Sequence, residues 1–179
     1  MTDTSIDIAK LVLAGPVGAG KTSAIHAIAD SEPISTDVPL SGDAVQVDKT
    51  TTTVALDFAT VALDDGTPLF IYGLPGQEHF SFMRPILLRG AVGVILLLNA
   101  SDADVAEQCE QWLHSIRAID AEIGIGIGLT HMDAASGSPI QCVREAVRRC
   151  GAPVPVFTLD ARSRAQVAHL VRAMLLSVA

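Results

Sequence analysis

Apolar residues fall in short continuous blocks separated by stretches of helical period, an alternation that predicts a sheet enclosed by helices. Residues 6–14 form an apolar run that stops at a glycine-rich turn, and residues 21–30 read as a helix without breakers. Residues 31–48 carry prolines, aspartates and serines with little periodicity, which predicts a long irregular loop of the kind that usually serves function. Residues 51–63 are rich in β-branched side chains, Asp64-Asp65-Gly66-Thr67 is a hairpin signal, and 69–72 reads as a second strand, so the two should pair antiparallel. The run 92–98 predicts a strand buried on both faces, 102–119 a helix capped by Ser101 or Asp102, and 123–129 another strand. In that strand Gly124, Gly126 and Gly128 alternate with Ile123, Ile125 and Ile127, leaving one bare face open to close approach by a helix or a ligand. Residues 139–150 predict a helix, 154–159 a strand and 163–177 a closing amphipathic helix. The expected fold class is α/β in three layers, with a mostly parallel sheet of about six strands, one antiparallel edge pair, and helices on both faces.

Composition narrows this. The 179 residues suit one domain over 1–179, and a charged fraction of 18% against 49% hydrophobic implies extensive burial. A net charge of -8 with no Lys/Arg stripe excludes nucleic acid as a partner. A nucleotide remains compatible, because main-chain amides, one lysine and a metal ion can neutralise phosphates locally. Cys109, Cys142 and Cys150 have no metal or disulfide spacing and read as reduced interior residues of a cytoplasmic protein. His26, His79, His114 and His169 share no metal spacing, and Trp112 reads as a packing residue. The N-terminal residues carry no export or lipidation signal, and the longest apolar run is far shorter than the roughly 20 residues that cross a bilayer. No transmembrane segment is expected, and peripheral membrane contact stays open.

The strongest chemical signal is Gly15-Pro16-Val17-Gly18-Ala19-Gly20-Lys21-Thr22, a complete G-x-x-x-x-G-K-[ST] phosphate loop between a predicted strand and a predicted helix. Its glycines let successive N–H groups curl around phosphate oxygens, and the helix points its positive end at them. Lys21 should reach the β- and γ-phosphates, Thr22 Oγ should ligate Mg2+, and Ser23 completes the candidate nucleotide contacts.

Further along, the sequence resembles the Ras-like small GTPases, especially bacterial MglA-like and Streptomyces-conservon-type GTPases and signal recognition particle receptor beta subunits. Thr53-Val54-Ala55-Leu56-Asp57-Phe58 is similar to T-I-G-V-D-F, which implies that Thr53 closes a first switch over Mg2+ and the γ-phosphate. Gly73-Leu74-Pro75-Gly76-Gln77-Glu78 resembles D-T-x-G-Q-E, giving Gly76 an amide for the γ-phosphate and Gln77 the attacking water. Gly73 stands where the family keeps an aspartate for a magnesium-bound water. Thr130-His131-Met132-Asp133 occupies the place of N-K-x-D, so Asp133 would accept hydrogen bonds from guanine, with His131 in place of the lysine and Thr130 in place of the asparagine. Asp160-Ala161-Arg162 resembles S-A-K, with the Ala161 amide facing guanine O6.

The resemblance implies a GTP/GDP switch with Mg2+ as cofactor, catalysis by Gln77, Lys21 and Gly76, and regulator and effector partners, including a roadblock-type protein. Residues 31–53 contain no arginine, so unaided hydrolysis should be slow, and Val17 would crowd an incoming arginine finger. Arg84 and Arg89 are expected to stabilise a helix end or solvate a face. Phe80, Phe82 and Met83 could form an effector patch or pack on the sheet, and Val167, Leu170, Val171, Met174 and Leu175 are expected to pack in the core. The rival readings are a nucleotide-loaded binding module without turnover and an ATP-dependent kinase, the latter needing an arginine-rich lid that the sequence lacks.

Overall fold

The computed structural model describes residues 9–31, 34–38, 54–151 and 153–178. Seven strands, β1 Ala9–Ala14, β2 Ile34–Val38, β3 Val54–Ala62, β4 Pro68–Gly73, β5 Gly93–Asn99, β6 Gly124–Thr130 and β7 Val156–Thr158, join in one sheet. Their order is β2-β3-β4-β1-β5-β6-β7. The helices are α1 Lys21–Ile28, α2 Arg84–Leu88, α3 Val105–Ile119, α4 Pro139–Arg149 and α5 Arg164–Val178, with a 3-10 helix at Glu78–Met83.

Period-two alternation in the central strands divides the core in two. Val12, Val94, Leu96, Leu98, Ile125 and Ile127 pack with residues of α2, α3 and α4 on one face. Leu11, Leu13, Ile95 and Leu97 pack with α1 and α5 on the other. The expected three-layer α/β architecture with a mostly parallel sheet is therefore present. Val167, Leu170, Val171 and Met174 are buried, as core packing of the last helix requires.

The expected antiparallel pair is β3 with β4. It does not lie at an edge, because β2 adds a further strand antiparallel to β3 within the predicted irregular loop. Ile34, Thr36 and Val38 alternate with Ser35 and Asp37, but over five residues flanked by Pro33 and Pro39 that pattern is too short to outweigh the turn residues around it, which is why 34–38 read as loop. The strand predicted over 51–63 is described over Val54–Ala62, and residues 51–53, Thr53 among them, lie outside the described residues. Helix α3 begins three residues later than predicted, with Asp104 rather than Ser101 or Asp102 at its cap position. Among the cysteines, Cys109 is buried as expected but Cys142 is exposed.

The bare face of β6 receives a helix. A Cβ placed on Gly124 would lie 2.2 Å from Val178 Cγ1, and one on Gly126 would lie 3.1 Å from Met174 Sδ. Gly128 is boxed in by Leu97, Leu159 and Leu170, at 2.7, 2.8 and 3.0 Å from its would-be Cβ. The glycines thus let α5 settle against the sheet.

Gly128→Ala should destabilise the fold by about 1–3 kcal/mol through overpacking. Gly126→Ala, which meets only the flexible Met174 thioether, should cost less. Chemical denaturation of the two variants measures the difference, and equal costs would contradict this packing.

Candidate functional site

The sheet delivers β1 to a turn that only a glycine-rich segment can follow. Gly15, Gly18 and Gly20 adopt φ of 136°, 81° and 92°, and α1 starts directly at Lys21. No acidic side chain sits in the first turn of α1, so the positive end of the helix is uncompensated there. Lys21 Nζ donates to the carbonyl oxygens of Gly15 and Pro16 at 2.8 and 2.7 Å, bracing the loop from within. Burial pushes the Lys21 ammonium down to about 8, while the Asp57 carboxylate acts in the opposite direction.

One cleft of about 1040 Å³ brings most of the predicted residues together. Val17, Gly18, Gly20, Lys21, Thr22 and Ser23 line one end, and Thr130, His131, Asp133, Asp160, Ala161 and Arg162 line the other. Gly76 and Gln77 border it as well. Gly15 and Ala19 do not line it. Gly15 contributes its carbonyl to Lys21, and Ala19 is buried beneath the loop.

At the second end, Thr130 is 1% exposed and its hydroxyl lies 3.0 Å from the Ala19 carbonyl and 3.2 Å from that of Leu98. This hydroxyl ties the loop after β6 to the phosphate loop. His131 takes φ of 54°, the left-handed region, with Nδ1 2.8 Å from Thr130 Oγ1. Asp160 is clamped by its neighbour: Oδ1 accepts from Arg162 Nε at 2.9 Å and Oδ2 from Nη2 at 3.0 Å. Those bonds, the side-chain ones foremost, hold the Asp160 carboxyl down at about 2.

The segment after β4 is fixed at both ends. A Cβ on Gly76 would lie 2.5 Å from Val17 N, so this residue rests directly on the phosphate-loop main chain. Farther on, Arg84 does not solvate a face as expected. It is 8% exposed, stacks 4.2 Å over the Trp112 ring, and donates to Ser115 Oγ at 2.9 Å and Glu78 Oε2 at 3.1 Å. Stacking supports a guanidinium that the polar contacts leave incompletely satisfied at Nε. Met83 is buried and Phe80 packs against the core, while Phe82 is 50% exposed and Ile86, four residues on in α2, is exposed as well.

Sequence reasoning missed Asp57 as a site residue. Its carboxylate lines the cleft and Oδ2 accepts the Thr22 hydroxyl proton at 2.5 Å. The carboxylate type and strand position were visible, but not the partner across space. Among the described residues no cluster of three His, Cys, Asp or Glu could hold a metal on side chains alone. A hydroxyl paired with a carboxylate beside a phosphate loop fits Mg2+ instead, a hard cation that takes few protein ligands and keeps waters and phosphate oxygens.

Comparison with known proteins agrees with this geometry. The family model described as "Ras of Complex, Roc, domain of DAPkinase" matches residues 10–133. The chain is similar to the Ras-related protein RABF2b of Arabidopsis thaliana, 29% identical over 111 residues, covering 62% of this chain and 50% of the relative. It is similar to the GTP-binding protein ypt4 of Schizosaccharomyces pombe, 29% identical over 119 residues, covering 63% and 45%. Rab-13 of Rattus norvegicus is 30% identical over 108 residues, covering 60% and 48%. The chain spans about half the length of these curated relatives.

The depressed Lys21 pKa fixes a pH dependence. In the unfolded chain this amine titrates near 10.5, so between about 8 and 10.5 the unfolded state holds more protons and stability rises with pH on its account. Lys21→Met removes that contribution. The stability of the variant relative to the parent should be highest below pH 8 and should fall as pH rises toward 10.5, measured by denaturant unfolding across pH. A difference that is flat or grows with pH would contradict the burial.

Proposed function

The chain belongs to the Roc, or Ras of Complex, family of Ras-like small GTPase domains, and from that membership we propose that it is a GTP-binding molecular switch with slow Mg2+-dependent hydrolysis of GTP to GDP and phosphate. The observation that carries the reading is the single cleft joining a complete phosphate loop at one end to Asp133 and Ala161 at the other. A guanine held by the Asp133 carboxylate and the Ala161 amide would leave its polyphosphate at the loop. A site built to pair the guanine edge rejects adenine because the wrong base leaves buried groups unpaired.

Phosphoryl transfer asks mainly for positioning and charge neutralisation. Lys21 supplies an ammonium, the loop amides and the start of α1 supply donors, and the Gly76 amide borders the γ-phosphate position. Gln77, exposed at the cleft, is assigned to orient the attacking water. Thr22 would hold a Mg2+ ion, which when bound would supply charge neutralisation at the phosphates, and Thr53 is assigned to complete that contact from the first switch. Among the described arginines only Arg162 lines the cleft, and it sits at the base end in a pair with Asp160. Among the described residues no cation besides Lys21 is therefore aimed at the transferring group, and we assign slow hydrolysis in the absence of a partner on that ground. The absence of an arginine lid also disfavours a kinase.

The whole chain is read as one such domain, because all seven described strands share one sheet. Among the described residues no helix is long and apolar enough to cross a membrane. We assign the protein to the cytoplasm, acting on effector proteins under a roadblock-type regulator, from the resemblance to MglA-like GTPases. Gly73 favours the alternative of a loaded module without turnover, since glycine cannot hold a magnesium-bound water.

Calorimetry with Mg2+ should show GTP and GDP binding, no comparable ATP binding, and loss of all binding in Lys21→Ala. Asp133→Ala should weaken guanine nucleotides selectively. In single-turnover hydrolysis Gln77→Ala should slow the step by about 10- to 1,000-fold with affinity retained. Parent and Gln77→Ala that are equally inert, even with a regulator, would establish the module instead.

A further inference from the structure

The aspartate that the Ras-like pattern places at position 73 is missing, yet the space it would fill is not empty. We propose that Asp57, on the neighbouring strand β3, orients Thr22 and holds a magnesium-bound water in place of a side chain at position 73. This rests on the nucleotide-switch reading above and adds to it the residue that tethers the metal.

Register makes the exchange feasible. Phe58 pairs with Tyr72 in the antiparallel β3–β4 ladder, so Asp57 and Gly73, one step further on, lie opposite each other. Directly opposed residues project to the same face within about 5 Å, and a carboxylate from either strand reaches the same point. A Cβ built on Gly73 would lie 3.1 Å from Asp57 Cβ, 3.6 Å from Asp57 Oδ2 and 2.9 Å from Ile25 Cδ1. Asp57 and Ile25 thus occupy the volume that a side chain on Gly73 would need. The two positions are alternatives, and this chain has the carboxylate on β3.

Hydrogen-bond chemistry supplies the second argument. A threonine that gives a lone pair to a cation must direct its proton elsewhere, and a carboxylate acceptor fixes that orientation while making the oxygen a better ligand. Thr22 Oγ1 donates to Asp57 Oδ2 at 2.5 Å, which is that arrangement. Charge supplies the third. Asp133 and Asp160 line the base end of the cleft, whereas Asp57 is the acidic side chain beside the phosphate loop among the described lining residues. A carboxylate facing phosphates is repelled unless a cation lies between them, and a divalent ion reverses that sign. The Lys21 ammonium, on which Asp57 acts, balances part of that charge, and a divalent ion ligated beside Thr22 would remove the repulsion that a polyphosphate adds.

The consequence is a change in which strand senses the metal. In this chain the tether belongs to β3, the partner of β2, and not to β4, which runs into Gly76 and Gln77. Metal occupancy is thereby coupled to the antiparallel β2–β3 pair.

The test uses the full chain loaded with a fluorescent N-methylanthraniloyl GDP, with free Mg2+ buffered by EDTA and nucleotide release as the readout. Asp57→Ala and the isosteric Asp57→Asn should each raise the free Mg2+ needed for half-maximal retention by about 10- to 100-fold. In excess EDTA the gap between variant and parent should close, because a metal tether has nothing to act on there. Gly73→Asp alone should also impair retention, by crowding Asp57 and Ile25. The exchange Asp57→Ala with Gly73→Asp should bring the Mg2+ midpoint back toward the parent value. Midpoints unchanged in both Asp57 variants overturn the proposal, as does a release defect that persists undiminished in EDTA. A parent that retains no GDP at any Mg2+ concentration would sink the nucleotide reading itself, a distinct outcome. Near-ultraviolet circular dichroism identifies a misfolded Asp57→Ala, in which case Asp57→Asn decides.

Discussion

The tight passage of the chain from β1 into α1 is the constraint on which the rest of the site depends. A Cβ on Gly15 would lie 2.0 Å from the Leu97 carbonyl oxygen, so the loop begins pressed against the neighbouring strand β5. Lys21 then reaches back to the Gly15 and Pro16 carbonyls, and the Thr130 hydroxyl holds the Ala19 carbonyl from β6. Two strands and the following helix thus fix one loop. Because the same Thr130 precedes His131 and Asp133, the phosphate and base ends of the cleft form one mechanical unit, and neither can shift without straining the other.

The segment after β4 is held differently, at two points with a short 3-10 helix between them. Gly76 lies on the phosphate loop, whereas Arg84 is anchored in the face between α2 and α3 by Trp112 and Ser115. Burying a guanidinium is costly unless it is paired, and here the partner carboxylate, Glu78, is itself largely exposed. Much of the anchor's strength must therefore come from the ring and from packing. The ion pair to Glu78 joins the residue next to Gln77 to a fixed helix face, so a change at the phosphate end is felt at Arg84. Such a segment, fixed at its ends and exposed at Gln77, Glu78, His79 and Phe82 between them, is the kind of element that γ-phosphate contacts bias in switch proteins.

The sequence revealed the sheet-and-helix frame and the phosphate loop because both are local. Hydrophobic period marks a buried strand such as β5, and eight adjacent residues spell the loop. Features built across space were hidden. Strand β2 is held by its ladder with β3, and its five-residue alternation between Pro33 and Pro39 is too short to stand out from the turn residues around it, so it read as loop. Arg84 carries the chemistry of a surface residue, and only the Trp112 ring 28 positions away explains its burial. The bare face of β6 admitted two readings until α5 was seen against it. The first-switch residue Thr53 lies outside the described residues, so its assignment rests on the motif.

The departures from the Ras-like pattern show what a motif encodes. Thr130 lacks the amide of the usual asparagine, yet one hydroxyl placed between two carbonyls makes the loop tie, because a tie needs a donor at a point and not a particular side chain. Gly73 lacks a carboxylate, yet an antiparallel neighbour brings Asp57 to the same point. In both cases the backbone frame fixes where a group is needed, and any nearby strand or side chain that reaches the place can supply it. A motif read along one segment detects the loss but not the replacement, since the compensating atom lies 16 residues away in sequence and one strand away in space. Loss of a motif residue is therefore weak evidence for loss of function until the opposing register position has been read.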